Sequence, residues 1–264
     1  WALKSELDSQ YKRFSMFIQI IFTALRRLYF INISSLRNCI IKGDYIKVGG
    51  NPLDQLIDGV PEGIVTQVYG EHATGKTTFC LMCCKYTLLK GKKSVFIDTE
   101  GGFSPKRLSL MGVKNLDDII VFQPRDFASQ VIALVKLEKI MSSRIGFVCV
   151  DSIVSLYRLE GHDHKKRTEL SRQLGNDLLI LSRIARDFNI PLVITNQVYD
   201  DVTGSREKVP VGGDVLKYWS KLIVKLEKDD QNKRKATLVR HPYKKEGESA
   251  YYDIGDPGII DVSF

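Results

Sequence analysis

Gly70-Glu71-His72-Ala73-Thr74-Gly75-Lys76-Thr77 matches the pattern G-x-x-x-x-G-K-[ST], and the fold follows from what stands on either side of it. Before it, Ile64 to Tyr69 reads as a short β-rich strand. After it, Lys76 to Lys90 reads as a helix, with Phe79, Met82, Cys83 and Tyr86 on one face and Gly91 past its end. In a strand, glycine-rich turn and helix of this order, backbone N–H groups turn inward around phosphate oxygens. The helix start adds the positive end of its dipole. Gly70, Glu71, His72, Ala73, Thr74, Gly75, Lys76, Thr77 and Thr78 are therefore the expected nucleotide-binding residues. Lys76 reaches the β- and γ-phosphates and the Thr77 hydroxyl ligates Mg²⁺. ATP and Mg²⁺ are the expected ligands.

Outward from this P-loop the chain alternates strand and helix. Ser94 to Asp98 and Phe147 to Val150 are apolar runs without alternation, as buried parallel strands are. Leu170, Leu174, Leu178, Leu181, Ala185 and Phe188 mark one face of a long helix that ends before Ile190-Pro191, and Leu192 to Thr195 is a further strand. This order predicts an α/β fold, a mostly parallel central sheet with helices on both faces. In the last third, Leu222, Val224 and Leu226 alternate with Ile223, Lys225 and Glu227, a half-exposed strand. Asp229 to Asn232 turns and Ala236 to His241 returns, a C-terminal antiparallel hairpin expected at the sheet edge.

The strand ends carry the chemistry. Asp151, at the end of Phe147-Val148-Cys149-Val150, is placed to hold the magnesium. Glu100 follows Phe96-Ile97-Asp98-Thr99, where a carboxylate orients or deprotonates an attacking water. Gln197 ends another strand, where an amide senses the γ-phosphate.

Composition bounds the rest. At 264 residues the chain buries one large core. The longest apolar run, Met16 to Leu25, is cut off by Arg26 and Arg27, so no membrane span or secretory signal is expected and the location is cytoplasmic. Residues 1–44 crowd Phe17, Ile18, Ile20, Ile21, Phe22, Leu25 and Leu28 without a clean polar face. They read as a docking helix or as upstream sequence foreign to the protein, and as an extension before a domain at 45–264. Of the five cysteines, Cys80, Cys83 and Cys84 share one helix with no second pair to complete a zinc site, and read as core fillers.

Net charge is +8, and Arg206 to Lys245 holds 12 Lys and Arg against 5 Asp and Glu. Arg206, Lys208, Lys217, Lys221 and Lys225 straddle Tyr218 and Trp219, as phosphate contacts and stacking surfaces do. Lys233, Arg234 and Lys235 crown the hairpin turn, and Lys165, Lys166 and Arg167 fall in a loop after Asp151. The functional reading is a DNA-binding surface, for single strands. The bland one is a solvated basic face with Tyr218 and Trp219 in the core.

Val65-Thr66-Gln67-Val68-Tyr69-Gly70, Ile97-Asp98-Thr99-Glu100-Gly101-Gly102-Phe103, Val150-Asp151-Ser152 with Leu156-Tyr157-Arg158, and Ile194-Thr195-Asn196-Gln197-Val198 resemble the RecA/RadA recombinase core over about Tyr45 to Asp261. Gly101-Gly102-Phe103-Ser104-Pro105 and the lack of a sizeable N-terminal domain look most like the archaeal paralogue branch of RadA. The resemblance implies a RecA-like P-loop ATPase core, with Glu100 activating water and Gln197 coupling the γ-phosphate to the following DNA-binding loop. It implies a mediator or regulator of homologous recombination and repair with very weak ATPase and no strand exchange. Regulation of branched-DNA cleavage is included, as are a RadA-type recombinase and other repair proteins as partners.

Three departures separate the chain from strand-exchanging recombinases. The loop Tyr199 to Val211 is short and opens with Asp200 and Asp201, which repel phosphate. Arg240-His241-Pro242 stands where those proteins carry an Asp-Ala-Pro or Asp-Ser-Pro cap over a neighbour's ATP. Phe22-Thr23-Ala24 lacks the spacing of a Phe-x-x-Ala filament linker. Two alternatives remain open: a filament-forming, DNA-dependent ATPase recombinase, and a RecA-fold signalling ATPase of the KaiC kind.

Overall fold

A computed structural model describes residues 45–49, 51–160, 164–200, 208–210, 212–229 and 233–262, all within the unit Asp44–Phe264. The apolar segment of residues 1–44, Arg206 and Asp201 lie outside the described residues.

The four strands predicted around the P-loop, with one more that the sequence did not announce (Ile119–Phe122), make up one side of a single sheet, out to its edge at Ile119–Phe122. They are β3 (Val65–Gly70), β4 (Lys93–Asp98), β5 (Ile119–Phe122), β6 (Ile145–Asp151) and β7 (Leu192–Asp200). All pair in parallel, in the order β3-β7-β6-β4-β5. A short pair, β1 (Tyr45–Ile46) with β2 (Val60–Pro61), flanks helix α1 (Asn51–Ile57). The P-loop is followed by α2 (Lys76–Leu89), and the later crossovers carry α3 (Pro105–Leu110), α4 (Phe127–Ile140), α5 (Ser155–Glu160) and α6 (His164–Phe188).

Side chains alternate across the strands, and the two faces bury separate cores. Val68, Phe96, Phe147, Cys149 and Val193 pack under α1, α2 and α3 with Leu53, Phe79, Met82 and Leu108. Val65, Val95, Ile97, Val148, Val150 and Ile194 pack under α4 and α6 with Leu134, Leu137, Leu174, Leu178 and Leu181. Each fully buried aliphatic side chain among these is worth about 1.5–3 kcal/mol. Asp126 caps α4, accepting from Ser129 N at 2.7 Å while Asp126 N donates to Ser129 Oγ at 3.1 Å, a reciprocal capping box.

The second half of the chain differs from expectation in five places. Gln197 lies inside β7 and does not end it, and Tyr199 and Asp200, read as the start of a loop, continue that strand, with Lys208–Pro210 pairing back on it. The hairpin, β9 (Ser220–Lys228) with β10 (Arg234–Arg240), is not at the sheet edge. β9 pairs in parallel with β3, and β11 (Ser249–Gly255) and β12 (Gly258–Ile260) continue the sheet beyond β10. Leu222, Val224 and Leu226 are buried and Lys221, Lys225 and Glu227 on the other face are exposed or half-buried, as a half-exposed strand requires; Ile223 alone departs from the reading, being buried. Lys165, Lys166 and Arg167 sit in the first turns of α6 and not in a loop. Phe188, at the last position of that helix, is 39% exposed, and Ile184 takes its place in the core. On α2 the buried surface is wider than one face and takes in Cys80, Leu81 and Cys84. Cys80, Cys83, Cys84 and Cys149 are free and buried. Burial pushes the thiols of Cys80, Cys83 and Cys149 up, which keeps them protonated and inert.

Candidate functional site

Parallel strands end on the same edge of a sheet, so β3, β4, β6 and β7 carry Gly70, Asp98, Asp151 and Gln197 to one place. In register, Gly70 lies opposite Gln197 and Asp98 opposite Asp151. At Gly70 a Cβ would fall 1.9 Å from the Leu226 backbone oxygen, so β9 closes against the turn at a distance only glycine permits. Gly75 has φ 104°, and a Cβ there would lie 2.8 Å from Ile254 Cδ1 of β11. The turn is propped from within by Thr74 Oγ1, which donates to Glu71 O at 2.8 Å, and from outside by the buried Tyr252 hydroxyl, which donates to Thr74 O. His72 and Ala73 are exposed, while Glu71, Thr77 and Thr78 are half-buried.

Lys76 is 8% exposed, and its Nζ donates to Gly70 O at 2.9 Å and Glu71 O at 2.6 Å. Burial holds the ammonium below the usual lysine range, opposed by the charges of Glu100 and Asp151. Thr77 Oγ1 donates to Asp151 Oδ2 at 2.7 Å, and Thr195 Oγ1 donates to Asp151 Oδ1. Burial raises the Asp151 carboxyl, and its two hydroxyl donors act against that rise. Gly102 leaves room above the pair, since a Cβ there would reach 3.3 Å from Thr77 Cγ2 and 3.7 Å from Asp151 Oδ2. An ammonium, a hydroxyl and a carboxylate around a turn of left-handed residues suit phosphates and a hard, oxygen-seeking cation. The residues present fit a magnesium nucleotide.

Asp98, one strand position from the cluster, holds the backbone. It accepts from Gly102 N at 2.9 Å, Phe103 N at 3.1 Å and Gln123 Nε2 at 3.3 Å, and so fixes the turn that presents Glu100. Glu100 Oε1 accepts from Gln197 Nε2 at 2.7 Å and from Ser155 Oγ. Arg158 Nη1 donates to Gln197 Oε1 at 3.4 Å. Of these, Thr195 and Arg158 stand inside sequence phrases already singled out, without a role read for them. Ser155, the first residue of α5, belongs to no motif, and Tyr252 lies in a short strand 176 residues after Lys76 with no motif to flag it.

The basic residues do not converge in the same way. β9 is nine residues long, about 26 Å at roughly 3.3 Å per residue. Its first residue pairs with Val65 and its seventh with Gly70. Lys217, Tyr218 and Trp219 belong to α7 (Gly213–Trp219), which with Lys221 lies at the end of β9 remote from the P-loop. Lys233, Arg234 and Lys235 lie at the near end. Arg234 is tied to Asp253 at 2.8 Å, and Lys225 is paired with Glu227. Tyr218 is 70% exposed, whereas Trp219 is half-buried against the core under α6. Lys208 begins β8 (Lys208–Pro210), whose backbone pairs with β7 at Asp200.

Arg240 and His241 are held inside their own chain. Arg240 Nη1 donates to Lys217 O and to Ser220 O at 3.3 Å. His241 Nδ1 accepts from Tyr243 N at 3.3 Å and Lys244 N at 3.1 Å, so the ring proton is on Nε2, 3.3 Å from Ile57 O.

A parallel sheet of this order, with a phosphate-type turn after β3 and carboxylates after β4 and β6, defines a RecA-fold protein. The family model described as Rad51 matches residues 37–262, and the chain belongs to that family. Within it the chain falls with the archaeal RadB proteins, the RadA paralogue branch that Gly101 to Pro105 pointed to. It is 38% identical over 212 residues to the DNA repair and recombination protein RadB of Methanococcoides burtonii, covering 79% of this chain and 94% of the relative. To the protein of the same name from Archaeoglobus fulgidus it is 39% identical over 217 residues, covering 81% and 97%. The crystal structure of the RadB recombinase matches with a TM-score of 0.70 at 38% identity, covering 83% of this chain and 100% of that one.

Proposed function

We propose that this chain is an ATP-responsive, DNA-binding protein of homologous recombination and repair, a mediator with very weak ATPase and no strand exchange. The observation that carries the reading is the meeting of the strand ends: Thr77 on Asp151 at 2.7 Å and Gln197 on Glu100 at 2.7 Å, around a buried lysine. Residues 45–264 are the ATPase domain in this reading and residues 1–44 an extension to it.

Backbone N–H groups of Gly70 to Thr78 and the Lys76 ammonium bind phosphate, while Thr77 and Asp151 hold Mg²⁺. When bound, the magnesium nucleotide supplies a cleavable phosphoanhydride and the charge that Lys76 answers. Glu100 orients water and takes its proton. Gln197 reports on the γ-phosphate and passes its position into β7 and the loop that follows. Two donors already occupy Oε1 of Glu100, which supports slow turnover.

DNA contacts, to single strands, fall to Lys233 and Lys235 and to Lys165, Lys166, Arg167, Arg206 and Lys208, with Arg234 reduced by its partner Asp253. A RadA-type recombinase and other repair proteins are the expected partners, regulation of branched-DNA cleavage the expected outlet, and the cytoplasm the location. No helix among the described residues is long and apolar enough to cross a membrane. The engagement of Arg240 and His241 with their own chain supports a mediator over a filament-forming recombinase. The test is ATP turnover with and without single-stranded DNA, using Lys76→Ala as the background. Rapid, strongly DNA-stimulated turnover would favour the active recombinase, and turnover indifferent to DNA the signalling ATPase.

A further inference from the structure

We propose that Ser155 is a positioning residue that restrains Glu100, and that α5 links this carboxylate to the basic start of α6. The inference rests on the ATPase reading above. A serine hydroxyl has one proton to give. Ser155 gives it to Glu100 Oε1, so its 2.9 Å contact with Ser152 Oγ requires Ser152 as the donor. The protons therefore run from Ser152, beside Asp151, through Ser155 to Glu100.

Arg158, three residues on and on the same face of the helix, donates to the Gln197 amide that donates to Glu100. A single turn of α5 thus touches both members of the pair. The other face of that turn is tied to α6. Leu156 packs with Phe127 and Leu170, the Tyr157 ring lies 6.1 Å from Phe127, and its hydroxyl is 2.9 Å from Ser171 Oγ. Close-packed contacts of this kind transmit displacement. A polyanion drawn to Lys165, Lys166 and Arg167 pulls on α6, and through Tyr157 moves the helix that holds Glu100 in place.

The restraint is released either by that pull or by deleting the hydroxyl. The experiment measures ATP turnover of the full chain with and without an oligo-dT strand, for wild type, Ser155→Ala, Ser155→Thr and Arg158→Gln. ATP affinity and melting temperature are recorded for each. Ser155→Ala is expected to raise DNA-free turnover roughly fivefold, a factor equal to about 1 kcal/mol in the barrier. ATP affinity stays the same, and the ratio of turnover with DNA to that without falls toward one. Ser155→Thr restores both quantities. Arg158→Gln, a change at an exposed side chain, lowers the ratio by itself and covers the case in which Ser155→Ala melts early.

Turnover that falls in Ser155→Ala, as loss of a catalytic orientation would produce, overturns the restraint. An unchanged ratio in both variants overturns the link to α6. Failure of the underlying reading looks different: wild-type protein that neither binds nor hydrolyses ATP sinks both ideas together.

Discussion

The carboxyl edge of the parallel strands and the basic surface of the second half were both read from the sequence, yet they fared differently. Residues named by fixed spacing within a motif come together, because the topology of a parallel sheet delivers every strand end to one edge. Residues named by local charge do not, because a run of lysines says nothing about which way its strand lies. Lys221 stands six residues along β9 from Glu227, the partner of Lys235, about 20 Å at roughly 3.3 Å per residue, and Lys217 lies in α7 before that strand begins, so one short contact cannot serve both groups. Spacing carries geometry, and composition carries only sign.

The largest expected effect lies on the motif side. Lys76→Ala should leave a folded protein with ATP affinity reduced at least about 100-fold, since charge-assisted bonds to two phosphates are lost and each is worth about 1.5–3 kcal/mol. Titration with a fluorescent ATP analogue measures it, and wild-type affinity in the variant would dissolve the contrast between the two regions. Glu100→Gln should keep that affinity and lower turnover by about 100-fold, the low end for loss of a general base. Weakened binding at unchanged turnover would reassign Glu100 to nucleotide binding.

A smaller effect comes from beneath the site. Asp177 of α6 is fully buried, with Oδ1 accepting from Gln173 Nε2 at 2.9 Å and the Gln130 amide beside it, and among the described residues its Oδ2 has no partner within hydrogen-bond distance. Gln130 in turn donates to Ile153 O, just after Asp151. Burial raises the Asp177 carboxyl from its usual value to about 6. A folded-state value above the unfolded one means this group's stability is fully present below about pH 4 and is lost as pH rises through about 6. Asp177→Asn should therefore stabilise the protein by about 2 kcal/mol at pH 7.5, an advantage that shrinks toward pH 4. Thermal melts at both values check it, and an equal advantage at both would point to packing in place of ionisation.

The smallest effect probes the basic side. Neutralising Lys233 and Lys235 should flatten the salt dependence of single-strand binding by about 1.4 in the log–log slope if both touch phosphate, at roughly 0.7 per contact. Neutralising Lys217 and Lys221 should leave the slope unchanged. The reverse result would move the DNA surface to the far end of β9.

The sheet was legible wherever a buried strand ended in a motif, from Val65 to Gln197. It was illegible where partners are chosen by three-dimensional neighbours. The hairpin of Ser220 to Arg240 was visible as a hairpin, but nothing local told that β9 would pair with β3 or that β11 and β12 would follow, so Ile223 was misread as exposed. Lys165 to Arg167 read as loop because basic residues without apolar periodicity carry no helix signal, although Leu170 and Leu174 downstream extend the helix over them. At the site, the residues read were those that spacing fixes. Tyr252 and Ser155 act across distance in sequence, and only the fold brings their hydroxyls to Thr74 O and Glu100.

In the function proposed above, nucleotide at the strand ends controls DNA binding elsewhere on the molecule. Coupling of this kind must be reciprocal between the two ligands. The direct measurement is the affinity of the full chain for one labelled single strand, with and without Mg²⁺ and ATP at constant ionic strength, for wild type and for Lys76→Ala. Tighter binding with Mg²⁺ and ATP is expected for wild type, by about fivefold or more at the low end of allosteric coupling, and no change for Lys76→Ala. Equal affinities in the presence and absence of nucleotide for wild type would contradict it.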